Sequence, residues 1–371
     1  MLFGAKGGAF VDKKKVLVAM SGGVDSSGAA VLLRQQGYVC DGVTLRLYDN
    51  AAVGLVGEST CCSADDVADA RSAACRLGMK FYVFNFTDAF RREVMDHFVA
   101  EYAAGRTPNP CIDCNRCMKF GALMDRALAL GYDYLATGHY ARVGCDENTG
   151  RYLLLRGRDH RKDQSYVLYQ LTQHQLAHLL LPVGEYDKPA IRAMAAESGL
   201  LNAQKPDSQD ICFVPDGDYV RFLRDYGHIS LEPGDFVDRE GRVLGRHKGL
   251  PCYTNGQRKG LGISAGKPVY VISKDAPSNT VLLGDGADLY NAALVAGQVN
   301  WISQPEPDAP IHVTAKTRYS QQEAEAIVTV LPDHRIQVTF AQPQRAVTAG
   351  QAVVLYQGEM VVGGGTIESA S

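Results

Sequence analysis

Lys15-Val16-Leu17-Val18-Ala19-Met20-Ser21-Gly22-Gly23-Val24-Asp25-Ser26-Ser27 is the stretch on which the fold of this chain turns. Its first six residues form a short, mostly apolar run, the pattern of a strand buried within a parallel sheet. Two adjacent glycines follow, where the backbone can take angles closed to residues with a Cβ, so successive N–H groups can converge on an anion. A helix expected over about 26–36 would add the partial positive charge of its amino end, and the serine hydroxyls would add donors. The stretch therefore reads as strand, phosphate-binding turn and helix, with a plain serine-capped Gly-Gly turn as the simpler alternative. Neither the GxxxxGK[ST] loop nor the GxGxxG turn occurs in it, which weakens the usual triphosphatase and dinucleotide readings.

Outward from this turn, apolar runs recur at 39–47, 81–84 and 134–136, separated by helical patterns near 64–77, 89–104 and 114–130. Alternating strands and helices predict an α/β doubly wound parallel sheet, whose ligands bind beyond the carboxyl ends of the strands; Ser21 to Asp25 should lie there. After about residue 213 short alternating segments replace the helices, as at 268–272 and 280–283. Pro305, Pro307 and Pro310 read as a linker, and strands expected at 311–317, 326–331, 335–340 and 352–356 have the spacing of a small barrel.

The chain has 371 residues, more than one core usually serves, so two or three domains are expected. Lys plus Arg number 38 against 41 Asp plus Glu, a net −3 that excludes a globally basic nucleic-acid coat but not a local basic face. No apolar stretch reaches membrane-spanning length, and 1–10 lacks the layout of a secretory signal, so a cytoplasmic protein without a membrane partner is expected. Ten cysteines are too dilute for a disulfide scaffold, so their clustering carries the information.

Several motifs follow the first in order: Gly105-Arg106-Thr107-Pro108-Asn109-Pro110, Ala136-Thr137-Gly138-His139-Tyr140, Lys162-Asp163-Gln164-Ser165-Tyr166, Asp207-Ser208-Gln209-Asp210-Ile211-Cys212-Phe213, Gly256-Gln257-Arg258-Lys259-Gly260-Leu261-Gly262 and Lys316-Thr317-Arg318-Tyr319. The first stretch resembles the pyrophosphatase loop of enzymes that split ATP into AMP and pyrophosphate. The whole set resembles the tRNA-specific 2-thiouridylase family, from about Lys15 to Gly365. That resemblance implies an adenine nucleotide α-hydrolase-like catalytic domain at 1–212, a central tRNA-contacting domain at 213–288 and a β-barrel at 289–371. It implies ATP with Mg2+ bound by Ala19, Met20, Ser21, Gly22, Gly23, Val24, Asp25, Ser26, Leu45 and Gly138. The activity it implies is adenylylation of the wobble uridine of tRNA, followed by sulfur transfer to carbon 2. A ligase adenylylating a small molecule is the alternative, and would have no use for the cysteines.

Cys111, Cys114 and Cys117 form CxxCxxC, a spacing open to zinc or iron–sulfur ligation. A ferredoxin run would need a further cysteine where Gly121 stands, so a remote ligand is required and Cys212 is the candidate. The resemblance implies that Cys212 accepts sulfur as a persulfide and that Cys114 assists as nucleophile or disulfide partner, Cys114 being a thiol expected to have its thiolate favoured by a helix start. Many family members carry aspartate at the position of Cys111. The cysteine there implies the iron–sulfur variety, with Cys111, Cys114 and Cys212 holding three irons of a [4Fe-4S] cluster whose fourth iron carries sulfide. Cys117 reads as filler on the face of Cys114, and Cys40, Cys75 and Cys252 as structural. Cys145 resembles a hairpin residue, and Cys61-Cys62 lie in a polar loop.

Arg156, Arg158, Arg161 and Lys162 form one basic cluster, Arg239, Arg242, Arg246 and Lys248 a second, and Arg258-Lys259 a third; such clusters neutralise phosphates or simply face solvent. The resemblance implies tRNA contacts from Asn109, Pro110, His139, Lys162, Asp163, Gln164, Arg318, Tyr319 and Gln351. The partners implied are tRNA and a sulfur donor, either a persulfide carrier or sulfide.

Overall fold

Burial on both faces makes β1 (Lys15–Ala19) the middle strand of the amino-terminal sheet, with Val16, Leu17 and Val18 out of reach of solvent. The structure, a computed structural model, describes residues 13–49, 64–206, 211–263 and 266–371. Cys61, Cys62, Asp207 to Asp210 and the first ten residues lie outside that range. Around β1 stand β2 (Val39–Arg46), β3 (Phe81–Asn85), β4 (Tyr134–Ala136) and, after a hairpin of β5 (Ala141–Cys145) and β6 (Tyr152–Arg156), β7 (Leu179–Leu180). Their order is β3-β2-β1-β4-β7, and every neighbouring pair is parallel. The chain winds outward from β1 to β3 and then restarts at β4 on the other side of β1. The carboxyl ends of β1 and β4 therefore flank the switch point where such sheets bind ligands.

Strand alternation divides β1 between two cores. Val16 and Val18 face α1 (Val24–Gln35), α2 (Ala64–Arg76) and the helix Lys188–Glu197, while Leu17 faces Phe120, Leu123 and Met124 on the opposite side. The helical patterns expected near 89–104 and 114–130 form, but each contains a wide π-helical stretch, Arg91–Met95 and Cys114–Leu123. Among the described residues no helix is long and apolar enough to cross a membrane.

The central part is a sheet of β8 (Gly234–Val237), β9 (Val243–His247), β10 (Tyr270–Asp275) and β11 (Thr280–Gly284), closed over Phe236, Tyr253, Val271 and Val281. Six strands then form the barrel: β12 (Tyr290–Trp301), β13 (Ile311–Lys316), β14 (Ala324–Val330), β15 (Ile336–Arg345), β16 (Ala352–Gln357) and β17 (Met360–Ala370). Their order β12-β15-β14-β13-β16-β17 closes by pairing of β12 with β17, which leaves no open edge.

Pro305, Pro307 and Pro310 do not mark a boundary between domains, because β12 already belongs to the barrel; they lie in the loop joining it to β13. The hairpin β5–β6 ties the two ends of the chain together. Leu155 of β6 pairs with Met360 of β17, and the buried Arg156 reaches Glu323 at 2.5 Å and lies 3.9 Å from the centre of the Tyr356 ring.

Candidate active site

Between β1 and α1 the backbone at Gly22 has φ +78°, and a Cβ there would come within 2.5 Å of the Asp66 carbonyl oxygen. Glycine is required on both counts. The Ser21 N–H donates to Ser26 Oγ at 3.2 Å, and Ser26 Oγ and Ser27 Oγ donate to the Gly23 carbonyl at 3.0 and 3.2 Å. Asn202 Nδ2 donates at 2.9 Å both to the Gly22 carbonyl and to Ser27 Oγ. Side chains thus hold the carbonyls of the turn, while Gly23, at the N-cap of α1, offers no side chain to the first helical N–H groups. That is the arrangement of an anion cradle.

On the other side of the switch point, a Cβ on Gly138 would lie 2.5 Å from the Ser26 backbone nitrogen, so the loop after β4 packs directly on the start of α1. Tyr140 from that loop donates to Asp25 at 2.8 Å, and Lys188 Nζ lies 2.7 Å from both Asp25 carboxylate oxygens. Thr137 Oγ1 and His139 Nδ1 are 2.7 Å apart. Burial first, and then the charge of Lys119, hold the His139 imidazole well below its ordinary value, so it is neutral at physiological pH.

These loops open onto a cavity of about 330 Å3. Ala19, Met20, Ser21, Asp25 and Ser26 line it with Leu45 and Gly138, and so do Cys111, Cys114 and Cys212. Asn109 caps the short helix Pro110–Asp113 by accepting from the Cys111 N–H at 3.1 Å. Cys111, not Cys114, therefore occupies the first turn. Burial is the largest influence on Cys114 and pushes its thiol up to about 11, while Lys119 pulls the other way without prevailing. The expected stabilised thiolate at Cys114 is thus reversed, because the thiol is sunk beyond the reach of the helix end. The Cys212 carbonyl accepts a hydrogen bond from the buried Tyr48 hydroxyl, which fixes the backbone of that thiol from β2's side of the site.

The donor set implied for an iron–sulfur cluster does not fit. Among the described residues no group of three His, Cys, Asp or Glu side chains is gathered closely enough to hold a metal ion. Cys117 packs half-buried against Phe98 and its neighbours and does not line the cavity. Cys40 is buried, whereas Cys75 is exposed on α2 rather than structural, and Cys252 is half-buried. Cys145 ends β5 at the hairpin turn.

Residues 14–216 match the family described as tRNA methyl transferase HUP domain, 221–285 the tRNA methyl transferase PRC-barrel domain and 291–367 the aminomethyltransferase beta-barrel domain. A tRNA-specific 2-thiouridylase MnmA of Acetivibrio thermocellus is 50% identical over 359 residues, which cover 96% of this chain and 100% of that one. The chain belongs to the tRNA-specific 2-thiouridylase family. Proteins of the same name from Moorella thermoacetica and Carboxydothermus hydrogenoformans are 53% and 50% identical over 355 and 360 residues, covering 96% of this chain and 99% and 98% of theirs.

The RNA-facing positions suggested by the 2-thiouridylase pattern fall into two groups. Pro110, His139 and Gln164 line the cavity itself, and Gln164 Oε1 accepts from the Tyr140 N–H at 2.9 Å. Others are engaged within the protein. Asp163 accepts from Gly157 N–H and Ser165 N–H at 3.1 Å and from Ser165 Oγ at 2.8 Å. Gln351 Nε2 donates to the Thr107 carbonyl at 2.8 Å, fastening the barrel beside Asn109. Arg318 Nη2 donates to the carbonyls of Asn255 and Ala346 and to Thr348 Oγ1, at 2.7–3.0 Å. Lys162 lies half-buried before this segment, and Tyr319, 42% exposed, meets Tyr166 edge-on at 6.0 Å.

Most of the basic clusters are ion-paired. Arg158 meets Glu185, Arg161 meets Asp159, Arg239 meets Asp288, Arg242 meets Asp238 and Arg246 meets Asp235, all within 3.7 Å. Arg258 and Lys259 are exposed.

Four residues of the site carried no signal in the sequence: Thr44, whose hydroxyl donates to the Met20 carbonyl at 2.6 Å, and Lys119, Lys188 and Asn202. Tyr140 stood inside a quoted motif, and its position after a strand end was the one available clue.

Proposed function

We propose that this protein uses ATP with Mg2+ to replace the oxygen at carbon 2 of the wobble uridine of tRNA by sulfur. One observation carries the reading: Ser21, Asp25 and Ser26 of the anion cradle and the thiols of Cys111, Cys114 and Cys212 line the same cavity. The cradle would receive the triphosphate, with the adenosine toward Leu45 and Gly138. The uracil oxygen attacks the α-phosphorus, the bond to the bridging oxygen breaks, and pyrophosphate leaves. Activation turns a poor leaving oxygen into AMP. Sulfur enters as a persulfide on Cys212, whose thiol takes the outer sulfur of a persulfide carrier while the carrier leaves as a thiol. The terminal sulfur on Cys212 attacks carbon 2, AMP departs, and Cys114 then attacks the Cys212 sulfur to release the thiolated base and leave a disulfide for an external thiol to reduce. Where sulfide is the donor, it attacks carbon 2 itself and expels AMP without a persulfide. No step is routed through a cluster.

A base inside a stacked anticodon cannot reach such a cavity, so the uridine must be extruded while the protein grips the arm. Pro110, His139 and Gln164 would meet the base in the cavity, Arg318 and Gln351 fasten neighbouring parts of the chain beside it, and Asn109, Lys162, Asp163 and Tyr319 would complete the grip on the arm. The reading sets the protein in the cytoplasm, with its tRNA. The test is to incubate it with tRNA, ATP, Mg2+ and either a persulfide carrier or sulfide, then analyse nucleosides by mass spectrometry. Thiolated uridine is expected; its absence with both sulfur sources overturns the proposal.

A further inference from the structure

The cavity has a charge deficit that the cradle alone does not meet. A bound triphosphate brings several negative charges, and the α-phosphate, where bonds form and break, must lie between the cradle and the thiols. Among the described lining residues Lys119 is the one lysine or arginine. Lys188 is nearby but is committed to both oxygens of Asp25, and His139 is neutral. Among the described residues no hydrogen bond or ion pair engages the Lys119 ammonium. Lys119 lines the cavity together with Cys111, Cys114 and His139, and the ring of the adjacent Phe120 lies 5.7 Å from that of His139.

The backbone explains how it gets there. In an α-helix, residues five apart point roughly 140° away from one another around the axis. Hydrogen bonding from i to i+5 instead brings such residues about one turn apart on nearly the same side. Cys114–Leu123 is wound in that wider way, so Cys114 and Lys119 both reach the cavity while Cys117 between them does not.

We propose that Lys119 is a catalytic residue of adenylyl transfer, its ammonium contacting the α-phosphate of ATP and afterwards that of the departing AMP. The assignment rests on the ATP-dependent reading above. As the uracil oxygen bonds to phosphorus and pyrophosphate leaves with the electron pair of the broken bond, charge grows on the α-phosphoryl oxygens. The Lys119 ammonium meets that charge in a partly enclosed site, where a fixed cation counts for more than in water.

The experiment compares the unmodified protein with Lys119→Met and Lys119→Arg. Pyrophosphate release in the presence of tRNA should fall on the order of 100-fold in kcat for Lys119→Met, with the KM for ATP changed much less, and Lys119→Arg should recover most of the loss. AMP affinity, measured by calorimetry, should weaken at least about tenfold in Lys119→Met alone. Thermal melting of both variants checks that they fold, and a Lys119→Met that melts early is replaced by Lys119→Gln. Unchanged AMP affinity overturns the assignment whatever the thiolation assay gives. Failure of the unmodified protein to release pyrophosphate with tRNA overturns the thiouridylase reading instead, and AMP binding still decides the role of Lys119.

Discussion

Lys188 and Asp25 are separated by 163 residues, yet Lys188 Nζ lies 2.7 Å from each oxygen of the Asp25 carboxylate. The lysine side chain is 9% exposed and the aspartate 30%, so the pair is largely shielded from water. Through it the helix Lys188–Glu197 holds the first turn of α1, and hence the anion cradle, in place.

Lys188→Met should leave the Asp25 carboxylate partly buried with only the Tyr140 hydroxyl for company. A loss of about 3 kcal/mol is expected, since breaking one partner of a buried pair strands the other charge. Urea denaturation measures it. ATP affinity should fall as well, because the cradle loses its support. A stability change under about 0.5 kcal/mol would mean the pair contributes no more than a surface bridge.

Gly138→Ala puts a methyl group where the Ser26 backbone nitrogen stands 2.5 Å away. The loop after β4 must then lift from α1, at a cost of about 1–3 kcal/mol. Nucleotide binding should suffer more than folding does, as both walls of the switch point move apart. Calorimetry with ATP, beside a melting curve, separates the two effects.

Cys114 should be slow to alkylate at neutral pH and speed up steeply as the medium becomes alkaline. Burial raises its thiol from 9.0 to about 11, so the folded protein holds that proton more tightly than the unfolded chain does. The associated stability is full below pH 9 and is lost as pH rises toward about 11. Iodoacetamide labelling followed by peptide mass spectrometry reads the thiol directly. Labelling of Cys114 that levels off near pH 8 would contradict the burial argument.

Arg318→Met removes the donor shared by Asn255 and Ala346 carbonyls and Thr348 Oγ1, which joins the central part to the barrel. About 2 kcal/mol is at stake, since the Asn255 carbonyl loses the guanidinium while that of Ala346 keeps the Thr348 hydroxyl. The segment around Asn255 should become the first site cut in limited proteolysis. A cleavage pattern identical to that of the unmodified protein would show that the joint is held by other contacts.

The sequence by itself determined the parts whose cause is local. An apolar run before two glycines and a helix at 15–36 dictated β1, the turn and α1, because strand burial, positive φ and helix initiation are each set within a few residues. Barrel strands β13 to β16 followed from alternation in the same way, whereas β12 and β17, whose pairing closes the barrel, did not. What only the tertiary structure decided are relations across long stretches of chain. Examples are Lys188 on Asp25, the pairing of Leu155 with Met360, and the neutralisation of Arg156 by Glu323. A charge read alone carries no record of its partner, which is why the arginine clusters looked free for phosphate. Lys119 was hidden for a related reason: the sequence offers the spacing, but only packing sets whether the helix winds tightly enough to turn that side chain away from Cys114 or widely enough to bring the two onto one wall.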